Sequence, residues 1–400
     1  MTSSSAYRMP KWLRLIAVMT AIGPVSIDLY VPGFTAIAAD LHERGVERTM
    51  ASYLLGLAIG QLIYGPVSDR FGRKPPLYAG FIIYTLGAVG CALSTSMTML
   101  IVCRVLQALG GCSAITIGRA IVRDRCEPQD AARAFTMLMT IVSVAPILAP
   151  VAGGWIVTAF GWRATFWIQG ALGLALLIAV HFMLTESLDP AHARPLGPVV
   201  MFRTCVRLLR DRAFLGYTLV SSCIMSALFS YVSAAPTVLT RVYGLSPQNF
   251  GLLTGLNGVA FLVASRLNLR ALHRSEPHKI LARYIWGPVI FGAALVALDF
   301  AISPPFALVI ALQFGFFVCS GRVTPNISAL ALAQHGRDAG SASAVMGTLQ
   351  SLGPAVAGTI LSHFNDGTLR PLFMAPWICA LLAIAAFAYA TSAQRGVAKT

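Results

Sequence analysis

Long stretches without a charged side chain are the feature that most restricts how this chain can fold. Nine stretches of at least 20 residues contain no Asp, Glu, Lys or Arg: 49–68, 75–103, 134–162, 164–185, 213–240, 242–265, 300–321, 339–365 and 371–394. A helix needs about 20 apolar residues to cross a bilayer. Three stretches with a few charges, 12–39, 98–122 and 278–301, complete a set of twelve predicted spanning helices. Such helices satisfy their own backbone hydrogen bonds in lipid, so we expect an all-α integral membrane protein.

The basic residues predict how these helices are oriented. The net charge of +15 would suggest a nucleic-acid partner in a soluble protein, but this chain is 56% hydrophobic. With the N-terminus placed in the cytoplasm, 21 of the 30 Lys and Arg fall in or beside cytoplasmic segments and five lie outside. This bias follows the positive-inside rule, so we expect both termini in the cytoplasm and no nucleic-acid partner. The first apolar stretch runs on to Ala39, too long for a signal peptide, and we expect it to remain as helix one.

A polar segment divides the chain into two halves. Residues 185–212 include five arginines, and Pro190, Pro195 and Pro198 argue against a helix there. We therefore expect a six-helix bundle over 1–184, a cytoplasmic linker over 185–212 and a second six-helix bundle over 213–400. Eight scattered cysteines form no C-x-x-C pair and have no histidine at ligand spacing, so we expect packing residues, no metal site and no cofactor.

The stretch "GPVSDRFGRK", residues 65 to 74, joins helices two and three. We expect Gly65 to permit close helix approach and Gly72 to form a tight turn. Asp69 can accept hydrogen bonds from a helix N-terminus or an arginine, while the basic residues hold the loop at the anionic cytoplasmic face. The predicted gating residues are Gly65, Asp69, Arg70, Gly72, Arg73 and Lys74. An ordinary basic turn is the alternative.

Helices four and five each carry a short motif. In "LIVCRVLQALGG", Arg104, Gln107 and Gly111 fall on one helical face. The alternative for Arg104 is a side chain that reaches the outer surface, and we expect Arg119 to be an interfacial anchor. In "APILAPVAGGW" two prolines and a glycine pair predict a kink and close packing, which could also be purely structural. The predicted kink residues are Pro146, Pro150, Gly153 and Gly154.

Asp28, in "SIDLYVPGF", is the only charged residue between Arg14 and Asp40. A carboxylate at the bilayer centre costs about 2.5–3.5 kcal/mol, so it is tolerated chiefly where it faces a cavity and has a partner. At a rise of about 1.5 Å per residue, the long side chain of Arg104 closes most of the gap to Asp28. Burial and a nearby guanidinium act on carboxyl protonation in opposite directions, so this site could take up and release a proton. A structural Asp bonded to a neighbouring backbone group or hydroxyl is the alternative.

These motifs, with "SAAPTVL" (233–239) and "SPQNFG" (246–251), resemble the Bcr/CflA branch of drug:H⁺ antiporters in the major facilitator superfamily. The resemblance implies a monomer in a bacterial inner membrane that exports amphiphilic drugs of the bicyclomycin, sulfonamide or phenicol type in exchange for protons. It implies a gating role for the 65–74 loop, proton coupling at Arg104 and Gln107, and an antiporter motif in helix five, where Ala145 and Ala149 replace the usual glycines. Aromatic residues that could line a drug pocket around Asp28 are Tyr30, Tyr53, Phe135, Phe229, Tyr231 and Phe261.

Other functions fit the sequence less well. A proton-coupled exporter or symporter of a small metabolite could use the same fold and gate. An intramembrane enzyme would need clustered acids, histidines or nucleophiles at membrane depth, and none of the seven histidines pairs with an acid in a predicted span. We therefore expect a transporter and not an enzyme.

Overall fold

The computed structural model describes residues 10–43, 45–188, 198–301, 304–333, 335, 339–364 and 366–397. These residues form helices and contain no strand. Twelve segments of the described chain are long and apolar enough to cross a membrane, which confirms the predicted all-α membrane fold.

Six of these segments precede the polar linker and six follow it. The first half contains α1 (Lys11–Asp28), α2 (Phe34–Asp40), α3 (Glu47–Phe71), α4 (Lys74–Ala92), α5 (Met97–Arg125), α6 (Pro128–Phe160) and α7 (Trp162–Met183). The second half contains α9 (Arg212–Tyr243), α10 (Pro247–Leu272), α11 (Pro277–Tyr284), α12 (Trp286–Ala301), α13 (Phe306–Leu332), α14 (Ala339–Phe364) and α15 (Leu369–Val397). The pairs α1 with α2 and α11 with α12 each form one span.

The linker contains a helix that the sequence did not predict. Helix α8 (Pro198–Arg210) begins at a proline. Proline is tolerated at the first helical position because the N–H that it lacks has no partner there, so the argument from Pro198 against a helix was wrong. Pro190 and Pro195 lie outside the described residues.

The first span is broken, although a continuous helix was expected over 12–39. Helix α1 ends at Asp28, a single 3₁₀ turn covers Val31–Gly33, and α2 follows. Pro32 lacks the N–H that would bond the carbonyl of Asp28, four residues earlier, and its ring crowds that carbonyl. The break therefore begins at Asp28, the acidic residue in the interior of this span.

The two ends of the bundle differ in charge. We call the end with the α3–α4 and α5–α6 connections the basic end, since Arg73, Lys74, Arg123 and Arg125 lie there. The opposite end, with the α2–α3 and α9–α10 connections, is the distal end.

The halves meet mainly at mid-depth and toward the distal end. Helices α6 and α10 pack so closely that a Cβ on Gly154 would lie 2.5 Å from the carbonyl oxygen of Pro247. Near the distal end the hydroxyl of Thr237 donates to the buried carboxylate of Glu47 across the two halves (3.1 Å). At mid-depth Gln61 of α3 donates to Ser351 of α14 (3.2 Å).

Toward the basic end α3 and the second half separate. A Cβ on Gly65 would have no described atom within 4 Å, and the ring of Phe71 is 56% exposed. Gly65 was expected to permit close helix approach, but in this conformation no described helix comes within 4 Å of its Cβ position. The described contacts between the halves therefore lie mainly at the distal end and at mid-depth. At the basic end α3 is uncovered, although Arg123 of α5 approaches Gly340 of α14 there (3.6 Å to a Cβ on Gly340).

Candidate functional site

Asp28 ends a stripe of partly or fully exposed residues on α1. Arg14, Val18, Ala21, Val25 and Asp28 recur at spacings of three and four residues, which places them on one helical face. Other sides of α1 pack inside the first half: Gly23, for example, approaches Ile115 of α5. The stripe therefore faces the space between the halves.

The carboxylate of Asp28 forms neither a hydrogen bond nor an ion pair with any side chain that the structure describes. Among the described residues Arg104, which was expected to reach toward Asp28, forms no ion pair with it. The guanidinium Nη1 instead donates to the carbonyl oxygen of Ser26 (3.1 Å) and to Oε1 of Gln107 (2.8 Å). Ser26 lies in the last turn of α1, where a carbonyl lacks its usual helical partner because the helix stops two residues later.

Arg104 is fully buried at the centre of a polar network in the first half. Gln107 donates to Oε1 of Gln169 in α7 (2.7 Å), and the hydroxyls of Ser26 and Tyr84 lie 2.6 Å apart. The predicted shared face of Arg104 and Gln107 is therefore present in the structure. The alternative, in which Arg104 reaches the outer surface, is wrong because its side chain is held inside the bundle.

This network contains more hydrogen-bond donors than acceptors. Nε and Nη2 of Arg104, Nε2 of Gln169 and Nε1 of Trp162 are buried without a partner among the described residues. No carboxylate of the described chain lies within 4 Å of the Arg104 guanidinium. A buried cation without an anionic partner is costly, so this arrangement favours the approach of an acceptor or an anion.

Two of the predicted pocket aromatics enclose Arg104. The rings of Tyr30 and Tyr53 lie 4.2 and 4.1 Å from the guanidinium carbon, and Tyr30 bonds the hydroxyl of Thr49 (3.0 Å). Both rings are fully buried. Such contacts stabilise a desolvated guanidinium by about 2 kcal/mol, and they leave neither ring available as an open drug surface in this conformation.

The other predicted aromatics lie apart from this network. Tyr231 and Phe261 both pack edge-on against Phe317, at 5.7 and 5.8 Å, inside the second half. Tyr231 is 3% exposed, so it too is packed and not open. Phe135 and Phe229 are partly exposed and remain candidate pocket residues.

The glycine pair of α6 packs against both halves. A Cβ on Gly153 would collide with the carbonyl of Leu29, the residue that follows Asp28. Gly154 meets Pro247 of α10, and the carbonyl of Pro150 lies against Gly251. Pro146 and Pro150 lie inside the single helix α6. The motif thus connects the break in the first span to the interface between the halves.

Arg73 is the centre of the loop at the basic end. Its guanidinium bonds Asp69 (2.6 Å) and Asp124 of α5 (2.7 Å), and the side chain is only 2% exposed. The expectation that Arg73 faces the membrane surface was wrong, because two carboxylates hold it inside the protein. Gly72 adopts a φ of 90°, the turn conformation expected for glycine. Arg70 is exposed and stacks on Phe71, and Lys74 reaches the carbonyl of His181 (3.4 Å).

Glu186 completes this loop from the other end of the first half. Its carboxylate accepts from the backbone N–H groups of Arg73 (2.9 Å) and Lys74 (3.0 Å), where α4 begins. Partial burial acts to raise the pKa of Glu186. The backbone N–H groups of Leu188, Lys74, Arg73 and Ser187 outweigh this effect and hold the pKa below its ordinary value. The loop is therefore anchored by three acids: the sequence reasoning expected Asp69 to accept from an arginine, as it does, but missed Asp124 and Glu186.

No group of three or more metal-ligating side chains occurs in the part of the chain that the structure describes.

Comparison with known proteins finds relatives that match along most of the chain. Residues 16–358 match the family model of the Major Facilitator Superfamily. An uncharacterized MFS-type transporter of Bacillus subtilis, YdgK, is 33% identical over 93% of both chains. The bicyclomycin resistance protein homolog of Haemophilus influenzae is 28% identical over 94% of this chain and 95% of its own, and the multidrug resistance protein MdtL of Escherichia coli is 29% identical over 87% of both.

The fold also has solved counterparts. A bacterial homolog of the human lysosomal transporter Spinster, in an inward-facing and unoccupied conformation, superimposes with a TM-score of 0.75 and covers 98% of each chain at 16% identity. At that identity the likeness describes the fold alone.

Proposed function

Because the chain belongs to the Major Facilitator Superfamily, we propose that it exports small amphiphilic drugs across a bacterial cytoplasmic membrane in exchange for protons. The basic end, in this proposal, is the cytoplasmic end, and both termini lie there. In this proposal the protein acts as a monomer, and the conformation described above is the one open to the cytoplasm and closed to the outside. Resistance-related names among the relatives support the drug as cargo.

Asp28 is the observation on which the proton coupling rests. Its carboxylate lies on the cavity-facing stripe of α1 where the first span breaks, and no described side chain bonds it. Enclosing an unpaired carboxylate costs several kcal/mol, whereas a protonated or hydrogen-bonded one is tolerated. The empty, charged transporter therefore resists closing around Asp28. Either a proton or a drug that bonds the carboxylate removes this resistance, which is the requirement for exchange.

The break gives Asp28 a mechanical connection to both halves. The 3₁₀ turn after Asp28 contacts α9 and α10 of the second half as well as α6. The carbonyl of Leu29 packs directly against Gly153. A change in how Asp28 is bonded can thus alter the surface on which the halves meet. In this account Arg104 and Gln107 hold the end of α1 in position through Ser26.

Loop 65–74 serves as the cytoplasmic gate in this proposal. Within the first half, Asp124 binds the guanidinium of Arg73, and Glu186 accepts from the backbone N–H groups of Arg73 and Lys74. A Cβ on Gly65 would have no described atom within 4 Å. Closure of the basic end would bring the second half against α3 and change these contacts. The loop accordingly affects the rate of conformational exchange and not the affinity for the drug.

A drug-susceptibility panel tests this function. Expression in a bacterial host that lacks its own efflux pumps should raise the inhibitory concentration of at least one phenicol, bicyclomycin or sulfonamide several-fold. Asp28→Asn, produced at an equal level in the membrane, should remove the protection. Protection against none of these drug classes would contradict drug export and favour a metabolite as cargo.

A further inference from the structure

We infer that Arg119 and Arg14 make the basic end of the cavity a charge filter, which admits neutral and anionic amphiphiles and excludes permanent cations. This inference specifies the substrate class and rests on the proposed function. The sequence suggested only an interfacial anchor for Arg119. The packing of α5 places the residue elsewhere.

The contacts of α5 with α3 and α1 show which helix each side of α5 faces. Cys112 faces α3, since a Cβ on Gly60 would lie 2.7 Å from the Cβ of Cys112. Gly118 faces α1, where a Cβ would lie 3.1 Å from Ile16. Arg119 follows Gly118 by one residue and Cys112 by two helical turns, so it points between α1 and α3. Since α3 packs on α14 and the break in the first span contacts α9 and α10, that direction opens toward the second half.

The lipid-facing side of α5 is a different one. Val102 and Leu106 are 53% and 43% exposed and lie on the side between α3 and α4. Arg119 is rotated by about 100° from that side. Its exposed side chain therefore belongs to the cavity and not to the bilayer surface.

Arg14 lies at a similar depth on the neighbouring helix. Gly118 of α5 packs beside Ile16 of α1, so Arg119 and Arg14 occupy adjacent levels on the two helices that border the opening. Arg14 belongs to the exposed stripe that ends at Asp28. The Cα atoms of both arginines lie about 20 Å from the level of Ser26 and Asp28, measured along the helices.

No acid neutralises this pair among the described residues. Neither Arg14 nor Arg119 forms an ion pair or a side-chain hydrogen bond there. The nearby carboxylates of Asp69 and Asp124 bind Arg73, and Asp211 caps α9 and faces His335. A cavity lined by one sign of charge between low-dielectric walls raises the local concentration of the opposite charge and repels its own. A permanent cation must pass this region before it can reach Asp28.

Charged thiol reagents of matched size measure the electrostatic potential in this part of the cavity directly. Val18→Cys places a thiol on the exposed stripe between Arg14 and Asp28, in a background whose six partly exposed cysteines are replaced. The detergent-solubilised protein is treated with an anionic and with a cationic methanethiosulfonate. For each thiol we compare the rate of reaction with the anionic reagent to the rate with the cationic reagent. We expect this ratio to be about tenfold higher for Val18→Cys than for free cysteine.

Arg119→Glu should lower this ratio about tenfold or more, and Arg119→Lys should keep it. Arg270→Glu is the matched control, because Arg270 is also exposed near the basic end of α10 but points away from both α6 and α13. Tetraphenylphosphonium, a permanent cation, should bind Arg119→Glu about tenfold more tightly than the parent.

An Arg119→Glu protein with an unchanged reagent ratio, or an equal shift in Arg270→Glu, would overturn the inference. An unchanged affinity for tetraphenylphosphonium would likewise contradict the filter. The reagent ratio needs no transport, so it stays measurable if the protein fails to exchange drug for protons. Failure of the proposed function and failure of the filter are thus distinguished.

Discussion

The guanidinium of Arg104 binds the carbonyl oxygen of Ser26, and Asp28, two residues further along, pairs with no cation among the described residues. The charge of Arg104 is thereby used to hold the end of α1, while the carboxylate stays open to the cavity. The pair that the sequence suggested is separated into a positioning residue and a candidate proton acceptor.

Arg104→Lys should impair transport strongly while the protein still folds and reaches the membrane. Lysine keeps the charge but cannot bond Ser26 and Gln107 through one planar group, nor stack between Tyr30 and Tyr53. We expect a loss of about 2 kcal/mol in stability and at least tenfold in drug exchange. Thermal unfolding and uptake by proteoliposomes measure the two effects. Full activity with lysine would show that charge alone is sufficient.

Gly153→Ala should destabilise the protein although alanine favours helices. The added methyl group would collide with the carbonyl of Leu29, and relieving such a clash costs about 1–3 kcal/mol. Gly65→Ala is the matched control, since a Cβ there would have no described atom within 4 Å. The control should be neutral or stabilising by up to about 1 kcal/mol. Equal unfolding temperatures for both variants would contradict the close contact at the break.

Arg73→Ala should destabilise the protein far more than Arg70→Ala. Arg73 is buried between Asp69 and Asp124, and removing one member of a buried charge cluster costs about 3 kcal/mol. Arg70 is exposed, and its removal should change stability by about 0.5 kcal/mol or less. Thermal unfolding in detergent compares the two. A larger effect at Arg70 would mean that the loop is held differently.

Glu186→Gln should lower stability only where Glu186 is ionised. The pKa of this carboxyl is held below its ordinary value in the folded protein. Its contribution to the free energy of unfolding is therefore fully present above the unfolded pKa of about 4.3. That contribution is lost as the pH falls through the pKa of the folded protein. We expect the unfolding temperatures of variant and parent to differ by a constant amount from pH 8 to pH 5 and to converge in more acidic solution. A difference that changes between pH 8 and pH 6 would contradict the anchoring role.

Several features of this molecule could be predicted from sequence because they depend on local chemistry. Spans follow from the charge-free stretches, the turn at Gly72 from its glycine, and the common face of Arg104 and Gln107 from helical spacing. The break at Asp28 was equally available, since Pro32 lacks the N–H for that carbonyl. It was missed because a count of apolar residues takes no account of backbone hydrogen bonds.

Other features depend on residues that are distant along the chain. Arg73 meets Asp124 and Glu186 across 51 and 113 positions, and Gln107 meets Gln169 across 62. Phe317, which packs on both Tyr231 and Phe261, was missed for the same reason. No local pattern pairs such residues, because the packing of helices against one another brings them together.

Proton movement in proteoliposomes tests the central role of Asp28 most directly. One proton that enters down 100 mV supplies about 2.3 kcal/mol, enough to concentrate a neutral drug some tens-fold. With an imposed pH gradient, addition of a drug identified by the susceptibility panel should cause proton movement in the parent. The same should hold for Asp40→Asn, which removes another carboxylate of the first span. In Asp28→Asn the drug-dependent proton movement should vanish while binding of the drug persists. Normal coupling in Asp28→Asn would contradict this account and place the titrating group elsewhere.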